Sequence, residues 1–274
     1  MERFIDVPGG RLFAVCDGTG PPIVLIHAAI ADHRAWDAMV PGLVDAGFRV
    51  IRYDYRSFGR STTDDVEFSD RTDLLAVLDA FGITRAALVG NSRGGQIAIS
   101  CAIEFPDRVA AVVGVGSGLG GFEGELTPAE AALFEEGDRL EAAGAFDRAA
   151  MVELEMGVWV DGPGQPADRV DPAVREAARM MAWALYEPGR VMGRPTRLDP
   201  PANDRLSELR CPVLAVAGAL DVSVMVQSAR RLESAAVNAR AVVWPDVAHM
   251  IGMEAPDRLN ALIVEFLEPL RPWE

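Results

Sequence analysis

The sequence predicts an α/β fold: a mostly parallel central sheet flanked by helices, with a helical insertion ahead of one of its last strands. Three observations predict it. Short apolar runs such as Ile23–Ile26, Ala86–Val89 and Ala110–Val115 alternate with stretches of helical spacing, the pattern of a parallel sheet covered on both faces. The run Gly90-Asn91-Ser92-Arg93-Gly94-Gly95 turns one of these strands directly into an apolar helix. Residues 118–205 change texture to Ala, Glu, Arg and Met, without a convincing buried strand.

Taken in order, residues 2–16 alternate like a β-hairpin around Pro8-Gly9-Gly10. A loop through Gly18-Thr19-Gly20-Pro21 leads to the buried strand Ile23–Ile26, and residues 34–46 read as one helix closed by Gly47, a good C-terminal stop. The strand Arg49–Tyr53 follows. Leu74, Leu78 and Phe81 then recur at helical spacing, and Gly82 ends that helix. Beyond the strands at 86–89 and 110–115, the insertion holds helical runs at Pro128–Ala143 and Pro172–Leu185. The strands Pro212–Leu220 and Ala241–Trp244 and a helix ending at Phe266-Leu267 complete the chain. The division expected is a core of residues 1–117 and 206–274 and a helical cap of residues 118–205.

With 274 residues, half of them apolar, the chain suits one large domain with an insertion. A net charge of −15 argues against a nucleic-acid or anionic-membrane partner, since both need a positive surface. The expected partner is a small-molecule substrate, and a homo-oligomer is compatible with the sequence. Three widely spaced cysteines, Cys16, Cys101 and Cys211, give neither a disulfide framework nor a zinc pattern. Without a secretion signal at Met1–Asp6 or an apolar stretch of about 18 residues, a cytoplasmic soluble protein is expected.

The chemistry concentrates around Ser92. A glycine two before and two after a serine, between strand and helix, is the G-x-S-x-G pattern of a sharp turn that exposes a nucleophile. The helix start behind it favours a developing negative charge. Serine needs a base, and the base an orienting carboxylate. Of the three histidines, His249 follows the strand at 241–244, and Asp221 ends the strand at 212–220. The order Ser92, Asp221, His249 places the two late members just past strand ends, where open α/β sheets carry their sites. Asp246 is the competing acid, three residues before His249.

These residues resemble the α/β-hydrolase family. Pro22–Ala29 is similar to its strand and oxyanion loop, with Trp36 where an aromatic often follows. Asp54-Tyr55-Arg56-Ser57-Phe58-Gly59-Arg60-Ser61 is similar to its D-x-R-G-x-G-x-S stretch, and His249 to Glu254-Ala255-Pro256 to its closing H-x-x-x-x-E-x-P. The resemblance implies oxyanion donors at the backbone N–H groups of Arg93 and Ala29, and a structural role for His27. It implies a pocket bordered by His27, Ala28 and Met250. The cap would roof it with lining drawn from Trp159, Trp183, Tyr186, Met156, Met180 and Met181. Three positions depart from the family pattern: Ala28, Ser57 and Ala248 stand where glycine is usual. Alanine tolerates positive φ less well than glycine, so a differently shaped oxyanion loop is expected. The Arg93 side chain is expected to turn away from the pocket toward a carboxylate.

The expected reaction is acyl transfer from a small to medium, largely apolar ester or lactone to water, through an acyl-enzyme on Ser92, with no metal or cofactor. Relatives that hydrolyse carbon–carbon bonds of ring-cleavage products, or act as cofactor-free haloperoxidases or perhydrolases, share the triad and stay open as alternatives. So does a small-molecule binding protein on the same scaffold. Relatives acting on epoxides or alkyl halides use a carboxylate nucleophile, and Ser92 argues against that branch.

Overall fold

Alternation along the buried strands builds the sheet. In β3 (Pro22–Ile26), Ile23 and Leu25 enter one apolar layer while Val24 and Ile26 enter the other. The computed structural model describes residues 1–143 and 145–273. The chain opens with the hairpin β1 (Glu2–Val7) and β2 (Gly10–Asp17), antiparallel around Pro8-Gly9. After β3 come α1 (Val40–Asp45), β4 (Arg49–Asp54), the two-residue β5 (Thr62–Thr63) and β6 (Glu67–Phe68), α2 (Asp70–Ala80), β7 (Ala86–Asn91), α3 (Arg93–Glu104) and β8 (Val109–Val115). The inserted stretch carries α4 (Pro128–Ala142), α5 (Arg148–Glu155), α6 (Pro172–Leu185) and β9 (Arg194–Pro195). The chain returns through β10 (Val213–Gly218), α7 (Ser223–Ala235), β11 (Ala239–Trp244), α8 (Ile251–Glu254) and α9 (Pro256–Leu267).

The sheet order is β1-β2-β4-β3-β7-β8-β10-β11, parallel from β4 to β11 and antiparallel at the hairpin. One layer joins Leu74 and Leu78 of α2, Ile99 of α3 and Leu232 of α7; the other joins Leu43 of α1 with Leu259 and Ile263 of α9. Each such side chain, fully buried, contributes about 1.5–3 kcal/mol. From β3 the chain moves outward to β4, then crosses to β7 on the other side. That reversal opens a crevice at the C-terminal ends of β3 and β7, the usual ligand position in an open α/β sheet.

One expected element divides. Residues 34–46 are not a single helix but a 3₁₀ turn at His33–Trp36 followed by the short α1. Pro41 has no N–H to give to the Asp37 carbonyl, so the first piece cannot continue into α1 as one hydrogen-bond ladder, and proline instead sits in the first turn of α1 where that N–H is not needed. The side chain of Asp32 starts the first piece by accepting from the Arg34 N–H at 3.0 Å. A feature without a counterpart in the sequence pattern is the parallel pair β6·β9, which ties the end of the insertion to the core. Among the described residues no helix is long and apolar enough to cross a membrane.

Candidate functional site

Ser92 sits between β7 and α3 with φ 56° and ψ −117°. Among the described non-glycine residues only Ser57 and Ser92 take positive φ, a conformation costing on the order of 1–3 kcal/mol. The turn exists because its flanks have no side chains. A Cβ on Gly90 would overlap the Gly94 carbonyl, and one on Gly94 would overlap the Ile26 carbonyl of β3. The Ser92 N–H donates to the Val115 carbonyl at 2.9 Å, pinning the turn to the end of β8. Arg93 then begins α3, so its N–H belongs to the first turn, where no intrahelical carbonyl can take it.

Asp221 and His249 meet. The Asp221 Oδ2 atom accepts from His249 Nδ1 at 2.8 Å, and Oδ1 accepts from the Val222 N–H at 2.7 Å. Both residues are at most 5% exposed. An ionised carboxylate only accepts, so Nδ1 carries the proton and Nε2 is left as the basic nitrogen. His249 reaches this point because the loop after β11 runs back across the strand ends. Leu220 N–H donates to the Val247 carbonyl at 3.1 Å, and a Cβ on Gly218 would overlap that same carbonyl. Asn91 closes the path: its Nδ2 donates to the Val115 carbonyl at 2.9 Å and to the His249 carbonyl at 3.2 Å. The residue beside Ser92 thus holds the backbone of His249, although among the described residues no hydrogen bond joins the Ser92 hydroxyl to the imidazole. Such bonds commonly tighten only with substrate present.

Asp246 lies outside this arrangement. Its carboxylate is exposed on Arg258 at 2.8 Å, which holds its pKa below the usual value. Glu254 instead serves the loop: it accepts from the Ala248 N–H at 3.0 Å and pairs with Arg169 of the insertion.

The loop after β3 is built around a neutral His27. Burial pushes the His27 pKa down, against the pull of Asp54. Its Nε2 accepts from the Tyr55 N–H at 3.4 Å, so Nδ1 donates to the Ala28 carbonyl at 2.8 Å. The ring stacks on Tyr55 with centroids 4.0 Å apart. A turn from Ala28 to Ala31 follows, leaving Ala29 exposed. Neither Ala28 nor Ala29 takes positive φ, so the alanine at 28 forces no left-handed strain. It is Ser57, another position where glycine is usual, that takes it, at φ 69°. The Arg93 guanidinium lies over the Tyr55 ring, 4.8 Å from its centroid, and donates to Asp70 at 3.0 Å.

The insertion meets these loops through an apolar cluster. Val152, Met156, Val160 and Met181 pack with Ala28 and with Met250, the residue after His249. Trp159 stands 4.6 Å from the His249 ring. Trp183 is only partly buried against the cluster, under the Arg148 guanidinium at 4.2 Å. Met180 departs from the expected lining: it is 52% exposed, in an outer groove with Arg34, Asp37 and Met253. A second cleft of about 320 Å³, bordered by Asp32, Ser57, Met181 and Arg190, likewise does not reach Ser92 or His249.

Two residues near the site are absent from the set the sequence motifs single out. Asn91 was hidden inside the Gly-rich turn. Glu155 lies three and four residues after Val152 and Met151, on a stripe otherwise apolar, which is the anomaly that marks it. Asp32, His33 and Asp54 also cluster closely enough to hold a metal ion. Asp54, however, already accepts from His33 N–H, His33 Nδ1 and Arg60 N–H at 2.7–2.8 Å, and Asp32 is paired with Arg34 at 2.6 Å.

This fold and this arrangement define an α/β protein with a serine at a strand-to-helix elbow and an acid–histidine pair beside it. The chain belongs to the alpha/beta hydrolase fold family, whose model matches residues 21–256. It is similar to Epoxide hydrolase B of Mycobacterium tuberculosis, 27% identical over an alignment covering 99% of each chain. It is also similar to the 2-hydroxy-6-oxononadienedioate/2-hydroxy-6-oxononatrienedioate hydrolase of Burkholderia vietnamiensis, 29% identical over 91% of this chain and 88% of the relative. Among solved structures it is similar to a thermophilic esterase from Thermogutta terrifontis, with a TM-score of 0.71, 25% identity, and coverage of 98% of this chain and 99% of the other.

Proposed function

We propose that this hydrolase cleaves small to medium, largely apolar carboxylic esters or lactones through an acyl-enzyme on Ser92. The observation that carries the reading is the buried His249–Asp221 pair at 2.8 Å, backbone-locked through Asn91 to the strained turn of Ser92. Ser92 Oγ attacks the carbonyl carbon while His249 Nε2 takes its proton. Asp221 holds the imidazole in the Nδ1–H tautomer and stabilises its charged form. The N–H groups of Arg93 and Ala29 receive the oxyanion, an interaction worth roughly 2.7–4 kcal/mol per donor in such sites. The imidazolium protonates the leaving alcohol. A water, deprotonated by the same nitrogen, then attacks the acyl-enzyme and releases the acid with Ser92 restored.

Residues 118–205 act in this reading as a cap, with Trp159 and Met156 over the reacting centre and water excluded beneath them. The apolar cluster favours an apolar substrate body, and the small-molecule substrate is the partner proposed. Epoxide opening fits this chain poorly. A serine opening an epoxide would form an ether, which offers water no carbonyl to attack, whereas a carboxylate would form a hydrolysable ester. Carbon–carbon hydrolysis is the second reading, favoured by the name of the Burkholderia relative.

Intact-mass labelling with a small fluorophosphonate tests the proposal. A single adduct on the wild type that is lost in Ser92→Ala is expected, with turnover of a short-chain ester panel. A folded protein that takes no adduct and turns over no ester would refute it.

A further inference from the structure

The two proposed oxyanion donors come from different parts of the chain, Arg93 from the elbow and Ala29 from the loop after β3. Backbone contact joins these segments where Gly94 lies against the Ile26 and His27 carbonyls. Farther out, side chains make a second join. The Arg93 guanidinium sits over the Tyr55 ring, 4.8 Å from its centroid. That ring stacks on His27 with centroids 4.0 Å apart and 11° between the planes. His27 in turn accepts from the Tyr55 N–H and donates to the carbonyl of Ala28, the residue before Ala29. The other end of this column is anchored as well. Arg93 donates to Asp70 Oδ2 at 3.0 Å, and the two side chains are only 27% and 12% exposed. Asp70 is the first residue of α2, where free helical N–H groups favour a carboxylate. The guanidinium is thus held twice, by a carboxylate and by an aromatic face.

We infer that the Arg93 side chain, held by Asp70, is a positioning group that sets the spacing of the two oxyanion donors through Tyr55 and His27. This rests on the ester-hydrolase reading and deepens it: Arg93 gives its backbone N–H to the oxyanion and, through its side chain, aligns the partner donor. Every residue except proline keeps that N–H, so substitution at position 93 tests the side chain alone. Removing a donor costs about 10²–10³ in kcat, and displacing one costs part of that. The guanidinium has one other way to act, by direct attraction of its charge for the oxyanion, and the two roles differ in sign at Asp70. Neutralising Asp70 leaves the guanidinium charge less compensated, which speeds the reaction if charge acts directly. It slows the reaction if Asp70 works by holding Arg93 in place.

The test pairs hydrolysis of p-nitrophenyl butyrate with inhibition by phenylboronic acid. Ser92 Oγ adds to boron, its proton passes to His249, and the tetrahedral boronate, carrying one negative charge, puts a boron-bound oxygen between the two donors. In Arg93→Met and in Asp70→Asn, kcat should fall by about tenfold to a hundredfold. KM should stay within about threefold, because the alignment matters only in the transition state. The inhibition constant for phenylboronic acid should rise by a factor similar to the fall in kcat. Arg93→Lys, which keeps the charge for Asp70 but not the planar group over Tyr55, should lie between the wild type and Arg93→Met. A role confined to stability would lower the melting temperature and leave kcat and the inhibition constant unchanged in the folded protein. Asp70→Asn is the milder change if Arg93→Met does not fold. The inference is overturned if the folded variants keep kcat and boronic-acid affinity within about twofold of the wild type, or if Asp70→Asn raises kcat. A wild type that neither hydrolyses the ester nor binds the boronic acid would refute the ester-hydrolase reading, and this inference with it.

Discussion

The strand ends and the inserted helices are held by different means. At the strand ends the fastening is mostly backbone, Ser92 N–H on Val115 and Leu220 N–H on Val247, with the Asn91 side-chain amide added on the His249 carbonyl. Glycines let these segments pass within contact distance. Apart from the backbone pair β6·β9 at its end, the insertion is fastened largely by side chains. Glu130 of α4 accepts from the Ser223 N–H at 2.7 Å, Arg175 grips Asp161 at 2.9 Å, and Arg190 donates to the Ser57 carbonyl at 2.7 Å. The difference separates two tasks. Chemistry needs atoms placed within a few tenths of an ångström, which backbone ladders provide. Selection needs a surface that can be rebuilt by exchanging side chains, which the insertion provides.

The sharpest way to break this comparison is at the strand ends. Ser92→Ala or His249→Ala should each lower kcat for a short-chain ester by about 10⁴-fold or more, because residues that act as a unit fail together. The melting temperature should move by only a few degrees. Near-wild-type turnover in either variant would remove the site from these strand ends. The two aspartates near His249 make the next contrast. Asp221→Asn should cost about 10⁴ in kcat by setting the wrong imidazole tautomer. Asp246→Asn, which alters a carboxylate paired with exposed Arg258, should stay within about twofold. The opposite ranking would reassign the acid.

The same contrast explains what could be read from the chain. The order of buried strands, the Gly90–Gly95 turn and the Asp221 and His249 positions follow from local pattern: apolar runs, glycines where backbones touch, polar residues just past strand ends. Pro41 was equally visible, yet its splitting of residues 34–46 needed the competition between an apolar helical period and a missing N–H to be weighed. The role of Asn91 was not legible, because its partner, the His249 carbonyl, is 158 residues away. Nor was the setting of Glu155, whose partner Tyr186 comes from another helix of the insertion. Side-chain pairings of that kind leave no periodic trace.

A smaller effect probes the joint between the two regions. Glu130 accepts from the Thr127 N–H at 2.7 Å as part of the α4 capping box and from Ser223, two residues after Asp221. Glu130→Ala should leave those donors short of partners, destabilising the fold by about 1–3 kcal/mol. It should lower kcat by roughly tenfold through the loop that carries Asp221, with Glu130→Gln recovering part of the loss. Loss of stability with unchanged kcat would show that α4 does not position the acid.

The smallest expected effect is in pH dependence, and it isolates the strand ends from the insertion. In the unfolded chain an imidazole titrates near pH 6.5. Burial lowers the His27 pKa in the fold, so between the folded and unfolded values the unfolded chain binds the extra proton. Stability from this residue is therefore complete above about pH 6.5 and is lost as the pH falls from there toward the folded pKa. His27→Gln removes the titration. Its melting temperature should be lower than that of the wild type at pH 7, because the link between the Ala28 carbonyl and the Tyr55 N–H is weakened, and should decline less steeply between pH 7 and pH 5. Parallel curves would mean that His27 is not protonated as the protein unfolds, and that the loop after β3 owes its shape to the Ala28–Ala31 turn rather than to the neutral ring beneath it.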